Sequence, residues 1–569
     1  GSILDPLQHT TSFDYDLAGR PTNQTLPDLN VIASGYDPNG NVASVTPPGR
    51  PAHMFAYTSA DRERDYSPPD VGQPRTTHTD YNLDQQVSNV SRADGDFITP
   101  TYDSVKGRLT AVTTSRGTNA YGYSATTGQL TSINTFDGVG VTYGYDGSLL
   151  KDITWSGPIS GNVHKTYDSS FRLSSESVSG GQTINFGYDN EDLLTSAGSM
   201  TITRDSATGF VTGTTLGAIS ESRTYDAYGA EKTYTVAANG ATLYSIDYGT
   251  RDSLGRIVNK TETMQGTTHV YGYSYDENGR LTDVTTDASA TSHYEYDANG
   301  NRLVGPGLTA SPVYDSQDRL LSYGDCTYSY KPDGSLRAKT CSDGPTTYDY
   351  DAFGNLRQTT LPGGGSVNYT IDGQDARVAK RINGTLFEAF IYGDDIKRVA
   401  WLDNNGVLKA QFVFAKRPHV PDIMIAGGQT YRLVADRVGS IRLVISSAGT
   451  VVQRMDYDEF GAVLYDSAPG FQPFGFAGGL ADRETHLVRF GARDYDPTTG
   501  RWTTIDPLRF HGGQTNLYTY VGNDPINSLD AEGLYAEVGV RQFYPIRIQR
   551  GQRTLRRREH KTTTASELI

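Results

Sequence analysis

The chain repeats one phrase: Tyr-Asp-x-x-Gly, then Arg or Asn, then Leu or Val, returning roughly every twenty-one residues. Clear copies start at Tyr15 (YDLAGR), Tyr36 (YDPNGNV), Tyr102 (YDSVKGRL), Tyr188 (YDNEDLL), Tyr275 (YDENGRL), Tyr296 (YDANGNRL), Tyr350 (YDAFGNL) and Tyr457 (YDEFGAV). Looser copies start at Tyr123, Tyr145, Tyr167, Tyr225 and Tyr330. Self-similarity at a fixed period marks an array, whose units bury apolar surface only against their neighbours. Each unit ends a strand on an aromatic and turns on Asp-x-x-Gly. The Asp side chain caps the backbone two residues on, and the Gly takes the positive φ that closes the turn. Between turns the pattern has period two, as in TYGYDGSLLKDITWSG from Thr142. One unit is therefore a hairpin, which alone is marginal in water and must pair with the next. The expected fold is all-β: a long antiparallel sheet coiling along the chain, with a tyrosine stripe per repeat. Such stripes are commonly packing ladders. The rival reading is an exposed carbohydrate- or cell-surface-binding face.

Hydrophobic residues make up 36% of the chain and mean hydropathy is −0.50, while Gly (62) and Tyr (38) are abundant. This favours a thin sheet with both faces meeting water or polar cargo over a thick core. A net charge of −15 argues against a nucleic-acid-binding shell. No apolar run reaches the length of a membrane span, and no secretory signal stands at the start. The opening Gly-Ser reads as a cloning scar on an excised fragment, so targeting information can lie upstream. Cys326 and Cys341 flank one hairpin and can form a cross-strand pair, with unpaired packing thiols the default. The ten His are scattered, with no HExxH and no Cys/His cluster, so no metal or cofactor is expected.

The repeats resemble the YD repeats of the RHS family, which includes bacterial Rhs polymorphic toxins, the C subunits of insecticidal Tc toxins and animal teneurins. The stretch DRVGSIRLVISSAGTVVQRMDYDEFG from Asp436 is similar to the RHS core-associated region. So is FGFAGGLADRETHLVRFGARDYDPTTGRWTTIDPLRFHGGQTNLYTYVGNDPINSLDAEGL, which ends at Leu534. The likeness favours the bacterial toxins over teneurins. It implies a hollow, cocoon-like shell over residues 1–465, an inward-spiralling plug over 466–534, and the start of a cargo segment, short or truncated, over 535–569. It also implies an intramolecular aspartyl protease, working once, that cuts after the Leu of Asp-Pro-x-x-Gly-Leu or Asp-Pro-x-Gly-Leu. The matching residues are Asp530, Ala531, Glu532, Gly533 and Leu534, and the expected scissile bond is Leu534–Tyr535. The second catalytic Asp matches Asp506 in TTIDPLRF, and the associated Arg matches Arg493 in FGARDYDP. No cofactor is implied. The implied partners are the chain's own C-terminal segment, a Tc-type B subunit or a type VI-like secretion machinery, and an immunity protein. The implied route is synthesis in a bacterial cytoplasm and export to a target cell. A cage without active proteolysis is the alternative within the family.

By themselves, Asp before Pro and Arg beside DYDP read as turn formers and a surface ion pair, but the residue types suit the reaction that the resemblance implies. Peptide hydrolysis by carboxylates needs one ionised and one protonated, and close like charges split their pKa values. Arg493 can hold one carboxylate ionised, and Gly533 lets the backbone approach the pair. Enclosure supplies proximity. Ala531 stands where the family has Pro. Pro fixes φ and biases the residue before it, so its loss is expected to loosen the geometry and slow cleavage. Beyond Leu534 the chain carries eight Lys or Arg against three Glu, which leaves about −20 on residues 1–534. An acidic shell around a basic guest would favour retention at low salt.

Overall fold

The computed structural model describes residues 1–394 and 396–538. Most of the expected cargo segment lies outside the described residues. Strands follow one another from Ser2–Leu4 to Ser289–His293 in one antiparallel sheet of 28 strands. A short pair, Glu295–Tyr296 with Arg302–Val304, leads to a second sheet of 16 strands, from Val313–Tyr314 to Val463–Asp466. Within each of these sheets every strand pairs with its successor in the chain, as the repeat requires. Among the described residues there is no α-helix, only three short 3-10 turns.

The repeat turn forms as its residues dictate. Asp16 Oδ1 accepts hydrogen bonds from the N–H of Ala18 at 2.9 Å and of Arg20 at 3.0 Å. Its other oxygen accepts from Arg20 Nε at 2.7 Å, and Gly19 takes a φ of 79°. The same turn recurs at Asp168, Asp252 and Asp276. Beside it the register slips by one residue at the repeat tyrosine, for example between Gly35 and Tyr36. A bulge at every repeat adds local twist, and repeated twist coils the sheet.

The tyrosines fasten one hairpin to the next. The hydroxyl of Tyr36 donates to the carbonyl of Pro21 at 2.8 Å, and that of Tyr188 donates to Leu173 at 2.9 Å. The Arg of the preceding turn covers the ring: Arg20 lies 4.5 Å from the Tyr36 centroid and Arg172 lies 4.7 Å from that of Tyr188. The stripe is a packing ladder reinforced by cation–π contacts.

The coil brings distant repeats together. Asp28 meets Asn278, Arg50 meets Asp318, Arg92 meets Asp333, and Arg116 meets Asp349. Farther along, Trp155 meets Asp372 and Asn239 meets Ala448. The separation is 250 residues at Asp28–Asn278, 268 at Arg50–Asp318 and 209 at Asn239–Ala448, so one coil of the sheet takes up between two hundred and two hundred and seventy residues. The chain then turns in again: Arg501 donates to Asn301, and Asn527 accepts from the Ile257 N–H.

Two expectations are corrected. The sheet is not thin throughout. Val141, Trp155 and Val163 of the outer coil pack with Phe390, Trp401, Phe412 and Val444 of the inner coil in one buried cluster. Strands such as Arg398–Leu402 and Ile441–Ser446 are almost wholly buried because both their faces are covered. Cys326 and Cys341 are also not unpaired thiols. They form a disulfide, with Cα atoms 4.2 Å apart, where the ends of Cys326–Tyr330 and Leu336–Cys341 meet across the hairpin.

Candidate active site

After Asp466 the chain leaves the coiled sheet and builds a small four-stranded sheet: Leu480–Ala481, Val488–Phe490, Arg493–Asp496 and Arg501–Trp502. Its core is aromatic. Phe490, Tyr495, Trp502 and Tyr520 contact one another with ring centroids 4.6–6.1 Å apart. This floor holds Arg493, whose guanidinium carbon lies 4.1 Å from the Trp502 centroid.

Arg493, Asp506 and Asp530 converge here, all buried. Arg493 Nη2 lies 2.9 Å from Asp506 Oδ2 and 3.1 Å from Asp530 Oδ2, so one guanidinium nitrogen bridges both carboxylates. Its Nε donates to the Gly533 carbonyl at 2.6 Å, which ties it to the loop carrying Leu534 and Tyr535. That loop is closed at its base by antiparallel pairing of Ser528–Leu529 with Glu537–Val538.

The geometry is specific at the Leu534–Tyr535 bond. Asp530 Oδ1 accepts from the N–H of Leu534 at 3.0 Å and of Tyr535 at 3.3 Å. The second nitrogen belongs to the amide expected to break. Asp506 and the Leu534 carbonyl oxygen border a common space beside Gly512: a Cβ there would lie 2.9 Å from Asp506 Oδ2 and 3.2 Å from the Leu534 oxygen. One carboxyl therefore faces the amide nitrogen and the other flanks the carbonyl.

Burial raises both pKa values, and Arg493 pulls both back down. Asp530 is pushed up to about 7, with the Asp506 charge adding to burial. Asp506 is also raised. Near neutral pH the site can hold a proton on Asp530 beside an ionised Asp506, the division of labour that carboxylate catalysis needs. A reaction through this pair is expected to follow a bell-shaped pH profile. The rate falls above about pH 7 as Asp530 loses its proton, and falls in acid as Asp506 gains one. Single-turnover cleavage of chain made by cell-free translation, sampled across pH 4–9, measures it; a flat profile contradicts the assignment.

Around Ala531 the turn is held by Asp530 Oδ1, which gathers the N–H groups of Leu534 and Tyr535. Gly533 takes a φ of 70°, where an L side chain would be strained. The loop is gripped from below at Gly491, where a Cβ would meet the Glu532 oxygen at 2.2 Å, and Ala492 N–H donates to that oxygen at 2.8 Å. Sequence reasoning missed Gly491, Gly512 and Tyr520, a fully buried ring in the aromatic floor. Only the Gly residues in an otherwise bulky run hinted at close backbone approach.

A cavity of about 1450 Å³ lies alongside, bordered by Ala531, Glu532 and Glu537. Its wall carries Arg223, Arg256, Arg280, Lys416, Arg417 and Arg437 beside Glu231, Glu277 and Asp524. The wall is therefore of mixed charge, although residues 1–534 as a whole are strongly acidic. Arg256 and Arg280 are repeat-turn arginines, held there by Tyr275 and Tyr296, so the repeat itself puts cations on the wall. Among the described residues no group of three or more His, Cys, Asp or Glu is arranged to hold a metal, and no helix is long and apolar enough to cross a membrane.

A coiled sheet of stapled YD hairpins closing on an inward plug defines a YD shell. The chain belongs to the teneurin YD-shell family, whose sequence profile matches residues 3–526. It is 28% identical over 469 residues to teneurin-4 of Homo sapiens, covering 74% of this chain and 16% of that protein. It is 27% identical over 594 residues to teneurin-3 of Danio rerio, covering 91% and 21%. The chain thus spans only a small part of the length of these relatives. Among solved structures, the TcdB2-TccC3 crystal structure matches with a TM-score of 0.75 at 16% identity, over 93% of this chain and 32% of that one. The Photorhabdus luminescens Tc holotoxin pore matches at 0.68 and 15% identity, over 94% and 31%. At such identities the likeness is one of fold.

Proposed function

We propose that this chain is the shell of a bacterial Rhs-type toxin, that it encloses the segment beginning at Tyr535, and that it severs that segment itself. The observation that carries the reading is the convergence of Arg493, Asp506 and Asp530 on one peptide bond, Leu534–Tyr535. In the first step Asp506, ionised, takes a proton from a water as its oxygen attacks the Leu534 carbonyl carbon. Arg493 keeps Asp506 ionised and in place. In the second step Asp530, protonated, gives its proton to the Tyr535 nitrogen as the C–N bond breaks. The products are a Leu534 carboxylate and a Tyr535 amine. Pairing of Leu529 with Glu537 spans the cut, so the released segment stays docked without a covalent link.

The reading extends to partners. Structures whose names pair TcdB2 with TccC3 resemble this fold, which supports a Tc-type B subunit as the delivery partner; a type VI-like machinery is the alternative. An immunity protein would guard the producing cell.

Enclosure is tested by protease protection. The segment after Leu534 carries Arg553, Arg556, Arg557 and Arg558, all trypsin sites. Trypsin added to the native protein is expected to spare them, and to cut them once the shell is unfolded in urea. Loss of the segment from native protein, with the shell whole, contradicts enclosure.

A further inference from the structure

The loop that carries Asp506 is fastened to the opposite end of the chain. Arg509, in the 3-10 turn Arg509–Gly512, pairs with Glu63 at 2.5 Å across 446 residues of sequence. Its guanidinium carbon lies 4.0 Å from the Tyr66 centroid. Phe510 packs edge-on against His53, with centroids 4.9 Å apart, and against Phe55 at 6.2 Å. His53 and Tyr66 are buried and share a hydrogen bond of 2.8 Å. All four receiving residues lie on two paired strands of the first coil, His53–Tyr57 and Glu63–Ser67.

The same short loop sets the catalytic geometry. Leu508 N–H donates to Asp506 Oδ1 at 2.8 Å, and Arg509 N–H donates to the Asp506 carbonyl at 2.9 Å. Arg509 has a φ of 51°, a conformation that a non-glycine residue keeps only where its surroundings impose it. The loop ends at Gly512, beside both the Asp506 carboxyl and the Leu534 carbonyl. What holds Arg509 therefore also aims Asp506.

We propose that Glu63, Tyr66, His53 and Phe55 form a latch that clamps Arg509 and Phe510 and so sets Asp506 against the Leu534 carbonyl, which makes self-cleavage conditional on closure of the first coil over the plug. The inference rests on the self-cleavage reading. It adds an order of events: the N-terminal strands wrap on, the latch engages, and only then is the bond cut. A chain whose shell stays open keeps its cargo covalently attached. Arg509 is a positioning residue in this scheme and touches no reacting atom.

The test is a charge swap in the full chain, read by denatured intact mass through a cell-free translation time course. Glu63→Arg and Arg509→Glu are each expected to slow cleavage about 10- to 100-fold, the effect of misplacing a catalytic group by a fraction of a bond length or more. The double variant Glu63→Arg/Arg509→Glu restores the pair and is expected to recover most of the rate. Its alkaline pH midpoint stays near that of the wild type, because Asp530 keeps its surroundings. If wild type stays whole, the cleavage reading falls and the latch with it. If wild type is cut and both single variants match its rate, the latch alone falls. It falls as well if both single variants are slow and the double variant does not recover.

Discussion

Asp530→Asn is expected to leave the chain in one piece, with cleavage slowed about 100- to 10,000-fold, the usual worth of a positioned acid or base. The substitution is nearly isosteric. The Asn oxygen still accepts from the N–H groups of Leu534 and Tyr535, so the loop keeps its shape. What it loses is the proton for the departing Tyr535 nitrogen. Asp506→Asn is expected to fail to a similar degree for the other reason: it loses the base beside the Leu534 carbonyl. The double variant should be little worse than either single one, because the two groups act in one reaction. Stability separates this account from simple misfolding. Asp530 has its pKa raised in the folded state to about 7, above the unfolded value near 3.9. Folding then favours the protonated form, and the stability this group confers declines as pH rises between those values. Asp530→Asn carries no such charge, so at pH 8 its melting temperature should equal or exceed that of the wild type. A variant that stays whole but melts far lower would point to damage, not chemistry.

Glu221→Gln is expected to lower the stability of the shell by about 3–5 kcal/mol, the effect of breaking a buried ion network on one side. Its side chain is 0% exposed. It meets Arg432 at 2.7 Å, Lys416 at 2.8 Å and Arg223 at 3.3 Å, and accepts from Thr214 and Tyr234 at 2.7 Å each. Burial alone would raise its pKa, but the three cations hold it well below the ordinary carboxylate range. The folded value lies below the unfolded one, so this stability is present above the unfolded pKa and is lost as pH falls through the folded value. Neutralising Glu221 would leave Arg432, Lys416 and Arg223 buried together with only Asp422 and Glu231 near them. The loss falls at the seam between coils, since Glu221 and Arg432 are 211 residues apart. A urea midpoint measured beside Arg64→Ala provides the scale. Arg64 and Asp65 form a half-exposed pair on one strand, and losing it is expected to cost under about 1 kcal/mol. Equal shifts for the two variants would contradict the assignment of Glu221.

The repeat was legible because everything it needs is local. Asp16, Gly19 and Arg20 make their turn within five residues, and Tyr36 reaches back only one hairpin. Coil-to-coil contacts such as Arg50–Asp318 and Glu221–Arg432 have no local signature, since no spacing within a repeat anticipates a partner more than two hundred residues away. The buried inner coil did leave a trace. Runs such as RVAWL at Arg398 and IRLVIS at Ile441 do not alternate, which is the mark of strands covered on both faces. The composition average hid it. The disulfide was open to either reading because sequence placed the two Cys at the ends of a hairpin without fixing its register. At the candidate site, Asp506 and Asp530 stand in Asp contexts that usually make turns, and only resemblance singled them out. Gly512 and the Arg509–Glu63 clamp were invisible, because both depend on how the plug seats against strands formed at the start of the chain.

The denatured intact mass of the purified protein tests the central claim most directly. Self-cleavage predicts two species, one ending at Leu534 and one beginning at Tyr535, and a single full-length mass for Asp506→Asn. A wild-type chain that remains whole under the conditions where it is folded, from pH 5 to pH 8, would contradict the account and leave a cage without a protease.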